Sequence, residues 1–307
     1  MPQRVLEPGE IEKIPSSEIP FLRQPDRATM FAGRAGRLRH LAPGHAMGEY
    51  LALVAKIADA QQWALANLPP VMLPRPEHVE QCREHGMPSL NVQSHARDRA
   101  WCDVLRMLLR RLAGQTEGRV RDIVSKLEYE RDELYEAQAS KLLAGIPFGL
   151  DLGTAPFIGA ALQVYWAHMA TALGPGAFGR TDAPTVCPVC ASRPVVSIVR
   201  MGGADNGLRF LHCSLCATEW QMARIQCTSC ESTKGIFYHG IEGGSKGVKA
   251  EACDECGTYL KILYQEHEPQ AEPTADDLAS LAIDLLMSDT GKLRSGQNLM
   301  LIQGEET

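Results

Sequence analysis

Eight of the ten cysteines lie between residues 187 and 256, and all eight fall in CxxC pairs. A CxxC turn can direct two thiolates at one metal ion. The pairs form two sets, because each cysteine of the first set recurs 40 residues later, and 22 residues separate the two pairs within each set. A β-hairpin of that length can bring the second pair back to the first. The spacing predicts two four-thiolate metal sites, whose ligands are Cys187, Cys190, Cys213 and Cys216, and Cys227, Cys230, Cys253 and Cys256.

The chemistry of these sites follows from their ligands. Four thiolates in a tetrahedron suit zinc or iron, and the spacing does not choose between the two metals. A bare unit of about 40 residues buries little core, so metal binding should supply much of its folding energy. We expect each metal to use the four cysteines of one repeat, with crossed pairing between the repeats left open. The competing interpretation is four redox disulfides, which need a βαβ setting that this region lacks.

An all-α domain is predicted before the cysteine region, over residues 26–176. Residues 1–25 contain five prolines and are expected to form an extended arm. Hydrophobic periodicity and turn residues then set the helix boundaries. The expected helices are 26–41, 46–67, 76–84, 94–113 and a long charged one at 117–144, followed by an apolar helix from Pro156 to Gly174.

The rest of the chain is expected to be built differently. Residues 177–186 form a linker, and glycine pairs with short β-type runs predict small hairpins in metal units at 187–226 and 227–268. Residues 269–307 should form one helix at about 275–288 and a loose tail. The predicted fold is therefore multidomain: an all-α N-terminal domain, two tandem β-hairpin units of rubredoxin-like or zinc-ribbon type, and a short C-terminal helix.

Composition and motifs narrow the function classes. The net charge is -6 and the pI about 5.9, which argues against a general nucleic-acid or membrane-surface binder. The longest apolar stretch, 157–173, is interrupted by Gln163 and His168 and is expected to be a buried helix. The polar, proline-rich N-terminus does not match a secretory signal, so a cytoplasmic protein is expected. The sequence shows no P-loop, nucleophile elbow or HExxH motif, which predicts a protein that is not an enzyme.

Several other polar residues receive ordinary structural interpretations. His212 and His239 are expected in loops or at the surface, because each metal site already has four cysteines. Two arginine-rich stretches are expected to be solvated helix faces, with docking of an acidic partner as the alternative. Their members are Arg27, Arg34, Arg37, Arg39 and His40, and Arg97, Arg99, Arg106, Arg110 and Arg111.

A helical domain followed by CPVC, CSLC, CTSC and CDEC resembles the formate dehydrogenase accessory protein family, FdhE. The stretches CPVCASRP, LHCSLCATEW and CDECGTYLK carry the likeness, which runs from about residue 20 to about residue 290. The resemblance implies a cytoplasmic assembly factor that contacts the catalytic subunit of respiratory formate dehydrogenase before its export. It also favours iron over zinc, with two metal ions per chain, and implies the same eight cysteines as ligands.

Two other functions compete with assembly. A zinc ribbon that binds nucleic acid should be basic, yet residues 187–267 carry eight basic and eight acidic side chains. A one-electron redox protein would need iron, and this function overlaps with assembly. We therefore expect a protein partner, with no nucleic acid and no membrane insertion, and the sequence leaves a homodimer open.

Overall fold

The computed structural model describes residues 20–302, apart from the side chain of Ala204. The first nineteen residues of the expected N-terminal arm lie outside this range. Residues 22–23 of the arm form a short strand that joins the sheet of the metal region. Part of the described arm is therefore a strand of the sheet.

Seven α-helices form the N-terminal region of the described chain. They are α1 Met30–Leu41, α2 Gly48–Ala66, α3 Pro76–Glu84, α4 Ala100–Ala113, α5 Gly118–Glu128, α6 Asp132–Ala144 and α7 Ala155–Leu173. The apolar helix α7 is buried along nearly its whole length and packs against α2, α4 and α6. No helix between residues 20 and 302 is long and apolar enough to cross a membrane.

The long charged helix expected at 117–144 is wrong, because two helices occupy that range. Arg131 adopts an extended backbone between α5 and α6. The Tyr135 hydroxyl donates hydrogen bonds to the carbonyls of Leu127 and Glu128 at the end of α5. These bonds add to the backbone bond from Glu130 N–H to the Leu127 carbonyl and fix the turn between the helices, so that both helices bury apolar residues in the common core.

One mixed sheet contains both metal units. Its strands are β1 Leu22–Arg23, β2 Pro194–Val199, β3 Arg209–Cys213, β4 Glu219–Gln221, β5 Ile236–His239, β6 Val248–Cys253, β7 Thr258–Tyr264 and β8 Leu293–Arg294. The order is β1-β4-β3-β2-β7-β6-β5, and β8 pairs with β7. Each repeat supplies three antiparallel strands, and the parallel pair β2–β7 joins the two repeats.

The C-terminal segment is more ordered than the sequence suggested. Two short helices, α8 Pro273–Ala279 and α9 Leu281–Ser288, replace the single expected helix, and Ser280 separates them. The expected loose tail is wrong for residues 289–302, since Arg294 pairs with acidic residues of both helices and Met300 is fully buried. Local sequence did not show this, because the partners of the segment lie elsewhere in the chain.

The expectation of solvated arginine faces is wrong for Arg34 and Arg37, which are buried. Arg37 Nη2 lies 2.6 Å from Asp276 Oδ1, and Arg34 Nε lies 3.1 Å from Glu272 Oε1, so both tie α1 to the start of α8. Most of the other arginines also pair within the chain. Those pairs are Arg39–Asp59, Arg97–Glu136, Arg99–Asp132, Arg106–Asp132 and Arg110–Glu128.

Candidate metal centres

The first cysteine cluster joins two turns of the β2–β3–β4 unit. Cys187 and Cys190 precede β2, Cys213 ends β3, and Cys216 follows in the turn before β4. The Sγ distances are 3.6 Å from Cys187 to Cys216, 3.4 Å from Cys190 to Cys213, and 3.7 Å from Cys190 to Cys216. All four cysteines are buried, with at most 1% of their surface exposed.

The second cluster repeats this arrangement in the β5–β6–β7 unit. Cys227 Sγ lies 3.6 Å from Cys256 Sγ, and Cys230 Sγ lies 3.8 Å from Cys253 Sγ. Here the burial differs, because Cys230 is exposed and Cys256 is half-buried. The structure brings together the four cysteines of one repeat in each cluster, with no crossing between the repeats.

Both clusters fit a tetrahedral metal ion. A metal–sulfur bond of about 2.3 Å implies sulfur–sulfur distances of about 3.8 Å, close to those of both clusters. Backbone N–H groups also point at the sulfurs. Cys213 Sγ accepts from the N–H groups of Leu215 and Cys216 at 3.4 Å, and Cys227 Sγ accepts from Ser229 N–H at 3.4 Å. Such donors stabilise thiolate charge, so the chain has two four-cysteine metal-binding sites.

A threonine occupies the same place beside each cluster. Thr218 Oγ1 lies 3.2 Å from Cys216 Sγ, and Thr258 Oγ1 lies 3.1 Å from Cys256 Sγ. Burial alone would raise the pKa of Cys256, but hydrogen bonds from the Thr258 hydroxyl and backbone outweigh it and lower this pKa to about 7. These hydrogen bonds favour the thiolate of Cys256, which is the form that binds metal. The two threonines lie 40 residues apart, in step with the cysteine repeat.

The residue after each CxxC pair takes a left-handed backbone. The φ angles are 61° at Ala191, 57° at Ala217, 62° at Glu231 and 68° at Gly257. The turn requires this conformation, since the N–H of the residue after the second cysteine returns to the carbonyl of the first, as from Ala191 to Cys187 at 2.9 Å. Three non-glycine residues accept the strain of about 1–2 kcal/mol each, so the absence of glycine after three of the pairs does not argue against metal turns.

The helical region covers the first centre. Val92 N–H, in the loop before α4, donates to the Cys190 carbonyl at 3.0 Å. Gln163 Nε2 of α7 donates to the Ser214 carbonyl, inside the second CxxC turn, at 2.8 Å. The cysteines of this centre belong to the same hydrophobic cluster as the buried residues of the helices. The first centre is therefore part of the main core.

The second centre lies at the surface. Lys292 Nζ, in the segment after α9, lies 2.6 Å from Asp254 Oδ1 and 3.4 Å from the Cys253 carbonyl. Among residues 20–302, no helix residue forms a hydrogen bond with the turns of this centre. Cys230 is open to solvent. Two copies of one motif thus differ in access: only the second can meet a partner or a reagent directly.

The disulfide interpretation of the CxxC pairs does not match the structure. All ten cysteines are free, so none of the four CxxC pairs forms a disulfide. Cys82 and Cys102 are buried in the helical region away from both clusters. The eight remaining cysteines are the metal-binding candidates.

One polar group that sequence reasoning missed lies beside the first centre. His212 is buried within β3, which corrects the expected loop or surface position, and its Nδ1 lies 3.2 Å from Glu219 Oε1. Burial alone would raise the pKa of Glu219, but the His212 hydrogen bond and the Arg200 charge lower it to about 2. Glu219 also faces Arg23 of β1. The ion pairs of His212, Glu219, Arg200 and Arg23 connect β1, β3 and β4. In the sequence, the only sign of this group is that His212 lies next to a CxxC pair.

Comparison with known proteins places the chain in a family. Three family models cover nearly all of it: FdhE, N-terminal, at residues 19–181; FdhE, central domain, at 186–224; and FdhE, C-terminal domain, at 225–301. A protein FdhE homolog of Pseudomonas aeruginosa is 41% identical over 312 residues, which span 100% of both chains. Protein FdhE of Salmonella typhimurium is 39% identical over 298 residues, 97% of this chain and 96% of that protein.

A solved structure agrees with this assignment. The crystal structure of the FdhE protein from Pseudomonas aeruginosa matches with a TM-score of 0.86 and 40% sequence identity, covering 93% of this chain and 100% of that one. The resemblance carried by the CxxC motifs is confirmed. So is the predicted order of a helical region, a sheet region with two four-cysteine clusters, and a C-terminal helical segment. The chain belongs to the FdhE family.

Proposed function

We propose that this chain is a non-enzymatic assembly factor for respiratory formate dehydrogenase. In this proposal it acts in the cytoplasm, binds the catalytic subunit of the enzyme before export, and carries iron at both four-cysteine sites. The observation that carries the proposal is membership of the FdhE family across almost the whole chain, together with two complete four-cysteine clusters.

The residues around the clusters support different roles for the two sites. In the first, Cys187, Cys190, Cys213 and Cys216 would hold an ion inside the core, where it joins the sheet to the helical region. In the second, Cys227, Cys230, Cys253 and Cys256 would hold an ion at the surface. Iron in a four-thiolate site supplies a one-electron couple when bound. The thiolates, Thr218 and Thr258 hold the site, and the protein around it controls access.

A second candidate function is electron transfer through the second centre. The observation that favours it is the exposure of Cys230, because electron exchange with a partner requires a short path from the site to the surface. This function is compatible with assembly, because the exposed centre could exchange an electron with the bound catalytic subunit. A zinc-only protein would exclude it, because Zn²⁺ has no redox couple.

Nucleic-acid binding is the weaker alternative. Residues 187–267 carry equal numbers of acidic and basic residues, eight of each. Several basic residues there are neutralised internally, as Arg209 Nη2 is by Glu251 Oε1 at 2.6 Å. A surface that neutralises phosphates needs unpaired positive charge.

A gene deletion tests the proposed function in the cell. The strain that lacks this chain should lose respiratory formate dehydrogenase activity while it still synthesises the catalytic subunit, because assembly and not synthesis is blocked. The wild-type chain supplied on a plasmid should restore the activity. The Cys227→Ser/Cys230→Ser variant should fail to do so if the exposed centre acts in assembly, whereas the matched Cys82→Ser variant, outside both clusters, should restore it. Full activity in the deletion strain would contradict the proposal.

A further inference from the structure

The two repeats are placed head to tail in the sheet, so corresponding strands can be compared. The first repeat reads β4-β3-β2 across the sheet and the second reads β7-β6-β5. Strand β7 pairs in parallel with the outer edge of β2, from Ser197 opposite Ile262 to Val199 opposite Tyr264. The strand β5 takes the place of β2 in the second repeat. Its outer edge carries no strand in the part of the chain that the structure describes.

The backbone groups of β5 are free to accept such a strand. Gly235 O accepts from Asp254 N at 2.9 Å, so the alternation of an antiparallel ladder turns the N–H and C=O groups of Ile236 and Tyr238 to the open edge. On β2 the groups at the outer edge are used: the Val199 carbonyl accepts from Gln265 N at 3.1 Å. A row of unpaired backbone N–H and C=O groups at a sheet edge is a template for the addition of another strand.

The side chains of β5 also lack cover. All six residues of β2 are buried, whereas Phe237 and Tyr238 of β5 expose 51% and 40% of their surface. Natural edge strands are often short or protected by lysine, proline or a bulge; β5 is short, at four residues, but it reads Ile-Phe-Tyr-His and pairs with β6 in unbroken register. At the opposite end of the sheet the two-residue strand β1 pairs with β4 and forms the edge. Of the two edge strands in the described chain, β5 is therefore the longer and presents exposed aromatic side chains.

We propose that the open edge of β5 docks an extended segment of the formate dehydrogenase catalytic subunit, which adds to the sheet as a parallel strand. This inference rests on the proposed function. The added segment spans three to four residues, as the β2–β7 pairing does, and carries apolar or aromatic side chains that pack beside Phe237 and Tyr238. Because Ile236 pairs with Cys253, the docked strand lies next to the exposed second metal centre.

A second copy of this chain fits the edge less well. Two β5 strands related by a two-fold axis normal to the sheet would run antiparallel, whereas the equivalent edge of β2 accepts a parallel strand. Head-to-tail stacking of copies would have to pair β5 with β1, the other edge of the sheet, which is only two residues long and offers a short ladder. The internal repeat therefore favours a strand from a different protein.

The test is the affinity of the full-length, metal-loaded protein for the purified catalytic subunit, measured by titration calorimetry under anaerobic conditions. Tyr238→Pro removes an outward N–H without touching the pairing with β6, and we expect it to raise Kd at least about tenfold. Tyr238→Ser keeps the backbone donor and should raise Kd less. Phe148→Ser, at an exposed apolar residue of the helical region, is the matched control and should leave Kd unchanged.

Metal content and thermal unfolding of each variant report whether the fold is intact. If Tyr238→Pro loses its metal, Tyr238→Lys carries the test, since it keeps the backbone and places a charge on the edge. Equal affinity of the wild type and the intact edge variant would overturn the docking surface and leave the proposed function standing. No binding by the wild type would overturn both. A wild-type dimer that Tyr238→Pro converts to a monomer would assign the edge to a second copy and also overturn the proposal.

Discussion

The double variant Cys187→Ser/Cys190→Ser should lose one metal ion and with it most of the folded structure. Binding of a structural zinc ion to a small domain is worth roughly 10–16 kcal/mol, which matches or exceeds the total stability of a domain, about 5–15 kcal/mol. The first cluster lies in the same hydrophobic core as the helices, so its loss leaves polar serines in that core. The expected result is a large loss of helical circular dichroism at 25 °C.

The matched variant is Cys227→Ser/Cys230→Ser. It should also lose one metal ion, but the helical region should keep its circular dichroism and unfold cooperatively, because Cys230 is exposed and the helical core does not include the second cluster. Elemental analysis of both proteins counts the metal. Equal helical loss in the two variants would contradict the different burial of the centres, and an unchanged metal count in either would contradict the grouping of ligands by repeat.

Replacing Asp277 by alanine should lower the free energy of unfolding by about 3–5 kcal/mol, because it removes one partner from a buried ion-pair network. Lys261 Nζ lies 2.9 Å from Asp277 Oδ1 and 2.6 Å from Asp284 Oδ2, and Arg294 Nη2 lies 2.6 Å from Asp277 Oδ1. Lys261 has no exposed surface. In the variant, two buried cations would share one carboxylate.

Urea unfolding of the metal-loaded protein measures this loss. The matched control is Asp289→Ala, which removes an exposed acid just after α9 and should change stability by less than about 0.5 kcal/mol. A loss below about 1 kcal/mol in Asp277→Ala would show that the network does not hold the C-terminal helices to β7. The network binds Arg294 and Asn298 as well, and so explains why residues 289–302 are ordered.

The parts of the fold that the sequence predicted are those that local spacing controls. The 40-residue recurrence of cysteines is visible in the chain, and α3 has the predicted bounds because Pro76 begins it. The buried helix α7 followed from an apolar stretch that ends before Gly174. Each of these features can be read from the order and spacing of residues along the chain.

The features that the sequence did not predict depend on distant partners. Arg37 and Asp276 are 239 residues apart, so the charge pattern of α1 alone looked like a solvated surface. The parallel pairing of β2 with β7 joins strands of different repeats, and it turns two expected units into one sheet. The unequal access to the two metal centres is also a tertiary effect: the motifs are alike, but the helical region packs on only one of them.

The most direct test is an anaerobic purification of the tagged, full-length protein from its own cells, with identification of the retained proteins and elemental analysis of the bait. Assembly of formate dehydrogenase by an iron-bearing factor predicts recovery of the catalytic subunit and two iron ions per chain, one for each cluster. Recovery of nucleic acid, or of a zinc-only protein with no formate dehydrogenase subunit, would contradict both the proposed partner and the proposed metal.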